Sequence, residues 1–201
     1  MNILKERILQ EAVVLGEDVL KVSSFLNHQI DPDFMTELGK EIAQRFEGEK
    51  ITKILTVEAS GIPIALATGM AMHVPVIFAK KHSTSNVSGS AYRTIVYSFT
   101  HNTEYTVLVE SDYLGANDRV LIVDDFLANG RSIYGLLELL EEAGAQPVGI
   151  AVAIEKGFQS GGRELRAEGY RVESLVIIDR MDEDEIVFRD GDEYDEDEDD
   201  E

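Results

Sequence analysis

Apolar residues recur along the chain in two rhythms. Leu4, Ile8, Ala12 and Leu15 share one face at helical spacing, with Lys5, Glu6 and Gln10 elsewhere, which predicts a helix over 3–15 stopped by Gly16. Residues 19–22 read as a short strand. Asp31 and Pro32 then have the chemistry of an N-cap and a first helical residue, and Phe34, Leu38 and Ile42 give the following helix an apolar face that Phe46 extends. From there the rhythm changes to nearly unbroken apolar runs at 54–57, 76–79, 120–123, 148–154 and 175–178. Runs of this kind predict strands covered on both faces, as in a parallel sheet. Between them lie an apolar helix after Gly61, a helix with Ile133, Leu136, Leu137 and Leu140 on one face and Gly144 at its end, and a short helix from Gly161-Gly162 to Glu168. The alternation predicts an α/β fold: a parallel-dominated, five-stranded central sheet flanked by helices. Residues 96–99 and 105–109 read as strands around the turn His101-Asn102. The polar stretch 83–94 reads as a mobile loop.

Composition narrows the picture. A length of 201 residues fits one such domain. Net charge is −21, and residues 182–201 hold 14 acidic side chains and one Arg, so −13 lies there and −8 in the rest. The expected organisation is a folded domain over 1–181 and an acidic, disordered tail over 182–201. Neither part suits a phosphate backbone, so nucleic acid is not an expected partner. Cysteine is absent, which removes disulfides and thiolate metal sites and suits a reducing cytoplasm. No zinc or His-cluster spacing occurs, so no protein metal site is expected. The N-terminus lacks the apolar core of a signal peptide. Residues 61–79 carry no formal charge, but Pro63, Gly69, His73 and Pro75 divide them into a helix and a strand, so no membrane span is expected.

The chemistry concentrates at 120–132. A buried strand runs into Asp124 and Asp125 where it is expected to end. A small-residue turn, Ala128-Asn129-Gly130, follows, and a helix begins near Ser132. A loop entering a helix points N–H groups outward, and the helix dipole adds positive charge, which together cradle a phosphate. Two carboxylates one loop away can accept hydrogen bonds from vicinal hydroxyls. A ribose 5-phosphate satisfies both ends. A second strand–loop–helix with small residues, Ala59-Ser60-Gly61, has the same anion-binding form. Lys80, Lys81 and His82 follow the 76–79 strand, where ligands bind in open α/β sheets. Lys156 and Phe158 follow another strand and can meet a flat heterocycle, the ammonium at a carbonyl and the ring by stacking.

The stretch Asp124-Asp125-Phe126-Leu127-Ala128-Asn129-Gly130 resembles the phosphoribosyl-pyrophosphate (PRPP) signature of the type I phosphoribosyltransferases, in wording similar to the bacterial branch that acts on xanthine. The usual family loop ends Thr-Gly-Gly-Thr; here Asn129-Gly130-Arg131-Ser132 stands instead, with Ser132 keeping a hydroxyl. Residues 19–32 resemble that branch's N-terminal hood, which closes over the purine. The resemblance implies the type I fold with a small hood and a PRPP site at Ala128, Asn129, Gly130, Arg131 and Ser132. It further implies Asp124 and Asp125 as catalytic residues, and pyrophosphate contacts at Ala59, Ser60, Gly61 and Lys81. Base contacts are implied at Leu20, Asn27 and Lys156; taken alone, Leu20 reads as core and Asn27 as a turn residue. Xanthine and PRPP are the implied substrates, Mg²⁺ is expected to arrive with PRPP without a dedicated protein site, and a homodimer is implied. Two alternatives remain: salvage of guanine, hypoxanthine or adenine, and a PRPP-sensing regulator that binds nucleic acid.

Overall fold

The computed structural model describes residues 2–16, 18–82, 90–98 and 103–189. Helix α1 (Ile3–Glu11) is capped by Asn2, whose side chain accepts from the N–H groups of Leu4 and Lys5, and it buries Leu4 and Ile8. It is shorter than expected. Ala12 turns extended, and strand β1 (Val13–Leu15) pairs antiparallel with β2 (Val19–Lys21). Gly16, at φ +65°, starts the hairpin turn instead of ending a helix. Two β-branched residues before a left-handed glycine favour that turn over another helical one.

Helix α2 (Pro32–Arg45) starts as expected: the Asp31 carboxylate accepts from the Phe34 N–H at 3.2 Å. It crosses helix α3 (Gly61–Met72) at Gly39, where a Cβ would lie 2.5 Å from the Ala67 carbonyl carbon. The remaining elements are β3 (Lys53–Val57), β4 (Val76–His82), β5 (Ala91–Ser98), β6 (Thr103–Glu110), β7 (Arg119–Leu127), α4 (Arg131–Ala143), β8 (Gln146–Lys156), α5 (Gly161–Ala167), β9 (Val172–Met181) and β10 (Ile186–Phe188), with a 3₁₀ turn at Ser111–Tyr113.

Among the described residues, eight strands form the main sheet in the order β10-β9-β8-β7-β3-β4-β6-β5. The five central ones, β9 to β4, are mutually parallel, as the apolar runs predict. Three antiparallel strands extend them at the two edges. Alternate residues serve opposite layers. Ile54, Leu121 and Val123 pack with α1, α2, α3 and the hood, while Leu55, Val120 and Ile122 pack with α4 and α5. Both faces are covered, so both phases of each strand must be apolar.

Several boundaries differ from the sequence expectations. Strand β4 pairs parallel with β3 through Ala79, then antiparallel with β6 from Lys80 to His82, so the basic cluster lies within a strand. Residues 91–94, expected in the loop, belong to β5, whose backbone is paired along its length with β6. The rest of that loop from 83 to 89, and the turn at His101-Asn102, lie outside the described residues. At the other end the sheet runs past 181. The Asp182 carboxylate accepts from the N–H groups of Asp184 and Glu185, making a turn into β10, and Arg189 binds Asp179 at 2.6 and 2.9 Å. The acidic composition of 182–185 conceals the three apolar residues that pair after it. The expected disorder beyond 189 lies outside the described residues. Residues 61–79 form α3 and the start of β4, and among the described residues no helix is long and apolar enough to cross a membrane.

Candidate active site

A cavity of about 530 Å³ opens where β3, β7 and β8 end. Its floor is β7. The strand does not stop before the acidic pair; it continues to Leu127, and Asp124 and Asp125 are only 4% and 5% exposed. The sequence pattern predicts that the strand ends at them. The parallel partner β8 extends alongside β7, matching Leu127 with Glu155, so the ladder carries both carboxylates into the interior.

The two acids differ in surroundings. Asp124 Oδ1 accepts the Asp125 N–H at 3.0 Å. Burial first, and the neighbouring Asp125 charge second, push the Asp124 carboxyl well above the usual carboxylate range. Asp125 is bridged. Its Oδ1 accepts from Ser60 Oγ at 2.9 Å, and its Oδ2 accepts from Asn27 Nδ2 at 3.2 Å. Hood, acidic strand and the loop before α3 thus meet at one carboxylate.

Beyond Leu127, Ala128 and Asn129 lead to Gly130, which takes φ +78° before α4 begins at Arg131. That conformation suits glycine. Gly130 has no side chain with which to cap α4; the Arg131 N–H donates to Asn129 Oδ1 at 3.4 Å, and the helix start faces the cavity with the dipole polarity that suits an anion. All five residues from 128 to 132 line the cavity. The expected start near Ser132 is one residue late, with Arg131 already helical.

On the opposite wall the Glu58–Ala59 peptide is cis and leads through Ser60 into α3. Ser60 lines the cavity. Ala59 and Gly61 do not. Gly61 is needed for close approach: a Cβ there would overlap the Thr56 hydroxyl and lie 2.5 Å from Asp124 Oδ1. The two lysines of β4 separate by strand alternation. Lys81 lines the cavity, with its ammonium 5.0 Å from the Tyr105 ring centre and its N–H bonded to the Glu58 carboxylate. Lys80 pairs with Glu110 at 3.1 Å, away from the site.

At the hood end, Lys156 Nζ donates to the Asp18 carbonyl and lies 5.9 Å from the Phe126 ring centre. Burial holds its pKa below the ordinary lysine value. Leu20 is 6% exposed in the core and does not line the cavity, whereas Val19 and Asp18 do. Asn27 reaches the site through Asp125 without contributing to the cavity wall. Phe158, 37% exposed, also lies off the wall. The wall includes Glu58, Tyr105, Phe126 and Gln159, which the motif reading did not single out. Phe126 and Glu58 adjoin recognised motifs and could have been found there; Tyr105 comes from a separate hairpin and carries no local signal. Among the described residues, no group of three or more His, Cys, Asp or Glu side chains is placed to hold a metal ion.

Comparison with known proteins gives the family. The phosphoribosyl transferase domain model matches residues 27–189. The xanthine phosphoribosyltransferase of Moorella thermoacetica is 53% identical over 188 residues, covering 94% of this chain and 96% of the relative. That of Clostridium novyi is 49% identical over 189 residues, covering 94% and 100%. Among solved structures, the Giardia lamblia adenine phosphoribosyltransferase complexed with 9-deazaadenine superposes with a TM-score of 0.72 at 19% identity, covering 87% of this chain and 97% of that one. The Rhodothermus marinus adenine phosphoribosyltransferase gives 0.71 at 20%, covering 87% and 98%. These two likenesses concern the fold. With the model match spanning most of the chain and relatives near half identical along almost its full length, this chain belongs to the phosphoribosyl transferase domain family.

Proposed function

We propose that this protein is a purine-salvage enzyme that transfers the 5-phosphoribosyl group of PRPP to xanthine, giving xanthosine 5′-monophosphate and pyrophosphate. The observation that carries the reading is the match across 94% of the chain, at 49% and 53% identity, to relatives with that activity. The cavity supports it with an amide cradle, a buried acidic pair and a desolvated lysine around one space.

The 5′-phosphate sits on the amides of residues 128–132, with Ser132 adding a hydroxyl. Asp124 and Asp125 take the ribose hydroxyls. Burial holds the Asp124 carboxyl above the usual carboxylate range; as positive charge builds at the anomeric carbon, the acidic pair offsets it. The C–O bond to pyrophosphate lengthens as the purine nitrogen approaches, and the leaving group departs toward the loop at Ala59, Ser60 and Gly61 and the Lys81 ammonium. Positioning supplies much of the acceleration, because the leaving group is already activated. Mg²⁺ bound with PRPP, whose diphosphate and hydroxyl oxygens suit it, would supply neutralisation of the diphosphate charge. The site's own acids would take only a supporting part: Asp18, Glu58, Asp124 and Asp125 line the cavity, and Asp125 is already committed to Ser60 and Asn27.

Lys156 donates to a purine carbonyl, which takes the place of the Asp18 carbonyl it holds in the free site. Phe126 offers an aromatic face beside it. Asn27 can donate and accept, so on release from Asp125 it can read the second carbonyl and adjacent N–H that distinguish xanthine from guanine. Leu20 supports the hood from the core side. We place the enzyme in the cytoplasm, as a homodimer, without nucleic-acid or membrane partners; light scattering that returns a monomer mass with full activity would remove the dimer.

The test is incubation with PRPP, Mg²⁺ and each of xanthine, guanine, hypoxanthine and adenine, read by product mass. Xanthosine monophosphate is expected as the dominant product. Dominance of another nucleotide would reassign the base, and no nucleotide with any base would end the reading.

A further inference from the structure

Behind the phosphate loop lies a buried ion pair to which the mechanism above gives no part. Glu155, on β8 immediately before Lys156, is 3% exposed. Arg166 of α5 meets it with two parallel bonds, Nη1 to Oε1 at 2.8 Å and Nη2 to Oε2 at 2.7 Å, and the Ser174 hydroxyl of β9 donates to the same carboxylate. Backbone leaves no slack around them. A Cβ on Gly162 would strike the Glu155 carboxylate.

Such a pair is a weak source of stability, since desolvation offsets much of its attraction. Its forked geometry instead fixes orientation. What it orients is α5, and α5 is joined to the phosphate loop. The Gly161 N–H donates to the Ala128 carbonyl at 3.1 Å, and a Cβ on Gly161 would lie 2.5 Å from both that oxygen and the Gly130 nitrogen. Helix and loop therefore cannot shift independently. Buried Leu165 sets the depth of α5, but an apolar contact is non-directional and leaves rotation about it open. At the far end, Tyr134 Oη of α4 donates to Glu168 at 2.8 Å.

We propose that Arg166 and Glu155 are positioning residues for the 5′-phosphate: through α5 and Gly161 they hold residues 128–130 in the shape that receives it. This rests on the PRPP-binding reading of that loop, though not on the identity of the base. Because Glu155 pairs with Leu127 across the β7–β8 ladder and precedes Lys156 in sequence, the same pair also ties the phosphate end of the site to the base end.

The test uses the full chain carrying Glu155→Leu with Arg166→Met, which removes both charges and leaves neither unpaired. Binding of ribose 5-phosphate and of pyrophosphate is measured by calorimetry, beside the KM for PRPP and the thermal midpoint. Loss of register in the loop should weaken ribose 5-phosphate by roughly tenfold or more and raise the KM for PRPP in step. Pyrophosphate, bound on the opposite wall, should stay within about twofold. A purely structural role would lower the midpoint and leave ribose 5-phosphate affinity unchanged, and that result overturns the proposal. Should the double variant not fold, Arg166→Lys decides: it keeps the charge without the fork, so unchanged ribose 5-phosphate affinity in it overturns the proposal equally. No base is present in the binding assay, so a wrong base assignment leaves this result standing. Failure of the wild-type chain to bind ribose 5-phosphate would instead refute the reading of the loop.

Discussion

Gly61→Ala is the sharpest perturbation this site offers. The added methyl would overlap the Thr56 hydroxyl and stand 2.5 Å from Asp124 Oδ1, where ordinary contact begins at 3.4 Å. Thr56 is fully buried, and its hydroxyl has no hydrogen-bond partner among the described residues, so turning it relieves only the first of these contacts. Relief therefore requires the start of α3 or the Asp124 carboxylate to move by about 1 Å. Moving α3 displaces Ser60 from Asp125, and turning Asp124 breaks its bond with the Asp125 N–H. Overpacking of a close-packed core costs about 1–3 kcal/mol. A lost hydrogen bond in the acidic pair adds about 1 kcal/mol. The total of about 2–4 kcal/mol should lower the thermal midpoint by about 5–15 °C in a domain of this size. Displacing catalytic groups by about 1 Å should reduce kcat/KM by about a hundredfold. Steady-state assay with PRPP and xanthine, and a melting curve, check both numbers. A variant with wild-type turnover and midpoint would show that the α3 start and the acidic pair are not in the tight register described.

Asp124→Asn should abolish most turnover yet melt no lower than wild type at neutral pH. The sign follows from its raised pKa: the folded state holds a proton that the unfolded chain releases, so the contribution of Asp124 to stability is present at low pH and is lost as pH rises from about 3.8 through the elevated folded value. The midpoint of the variant minus that of wild type should therefore climb over this window, and a flat difference would contradict the assigned burial. Asn27→Ala should erode the preference for xanthine over guanine by about 1–3 kcal/mol in kcat/KM, and Lys156→Ala should weaken both bases together; an unchanged ratio in the first, or selective loss of one base in the second, would exchange or remove these roles. Truncation after Arg189 should leave turnover intact at moderate ionic strength, because the sheet is closed by β10 and the Arg189–Asp179 pair; a large loss would show that the acidic tail acts on the body.

Much of this architecture is local, and local order is legible. The five parallel strands are apolar in both phases because both faces are covered, so 54–57, 120–123 and 148–154 stand out without knowledge of their neighbours. Asp31-Pro32, Gly144 and the loop at 128–132 are likewise set by residues that adopt or refuse particular dihedrals. The sequence alone thus determined the parallel core, the helices between its strands, and the segments that meet at the site. It could not determine side-chain partners. Asn27 and Ser60 reach Asp125 across 98 and 65 residues, and no spacing rule operates over that distance. Strand ends proved equally non-local. The acidic pair is buried because β8 runs beside it, Lys81 turns inward and Lys80 outward because β6 extends β4, and Leu20 lies inside while Val19 faces the cavity because β2 pairs with β1. Apolar periodicity records whether a residue is covered. Which backbone lies across the ladder, and hence which charge is desolvated, is fixed only when distant segments pair.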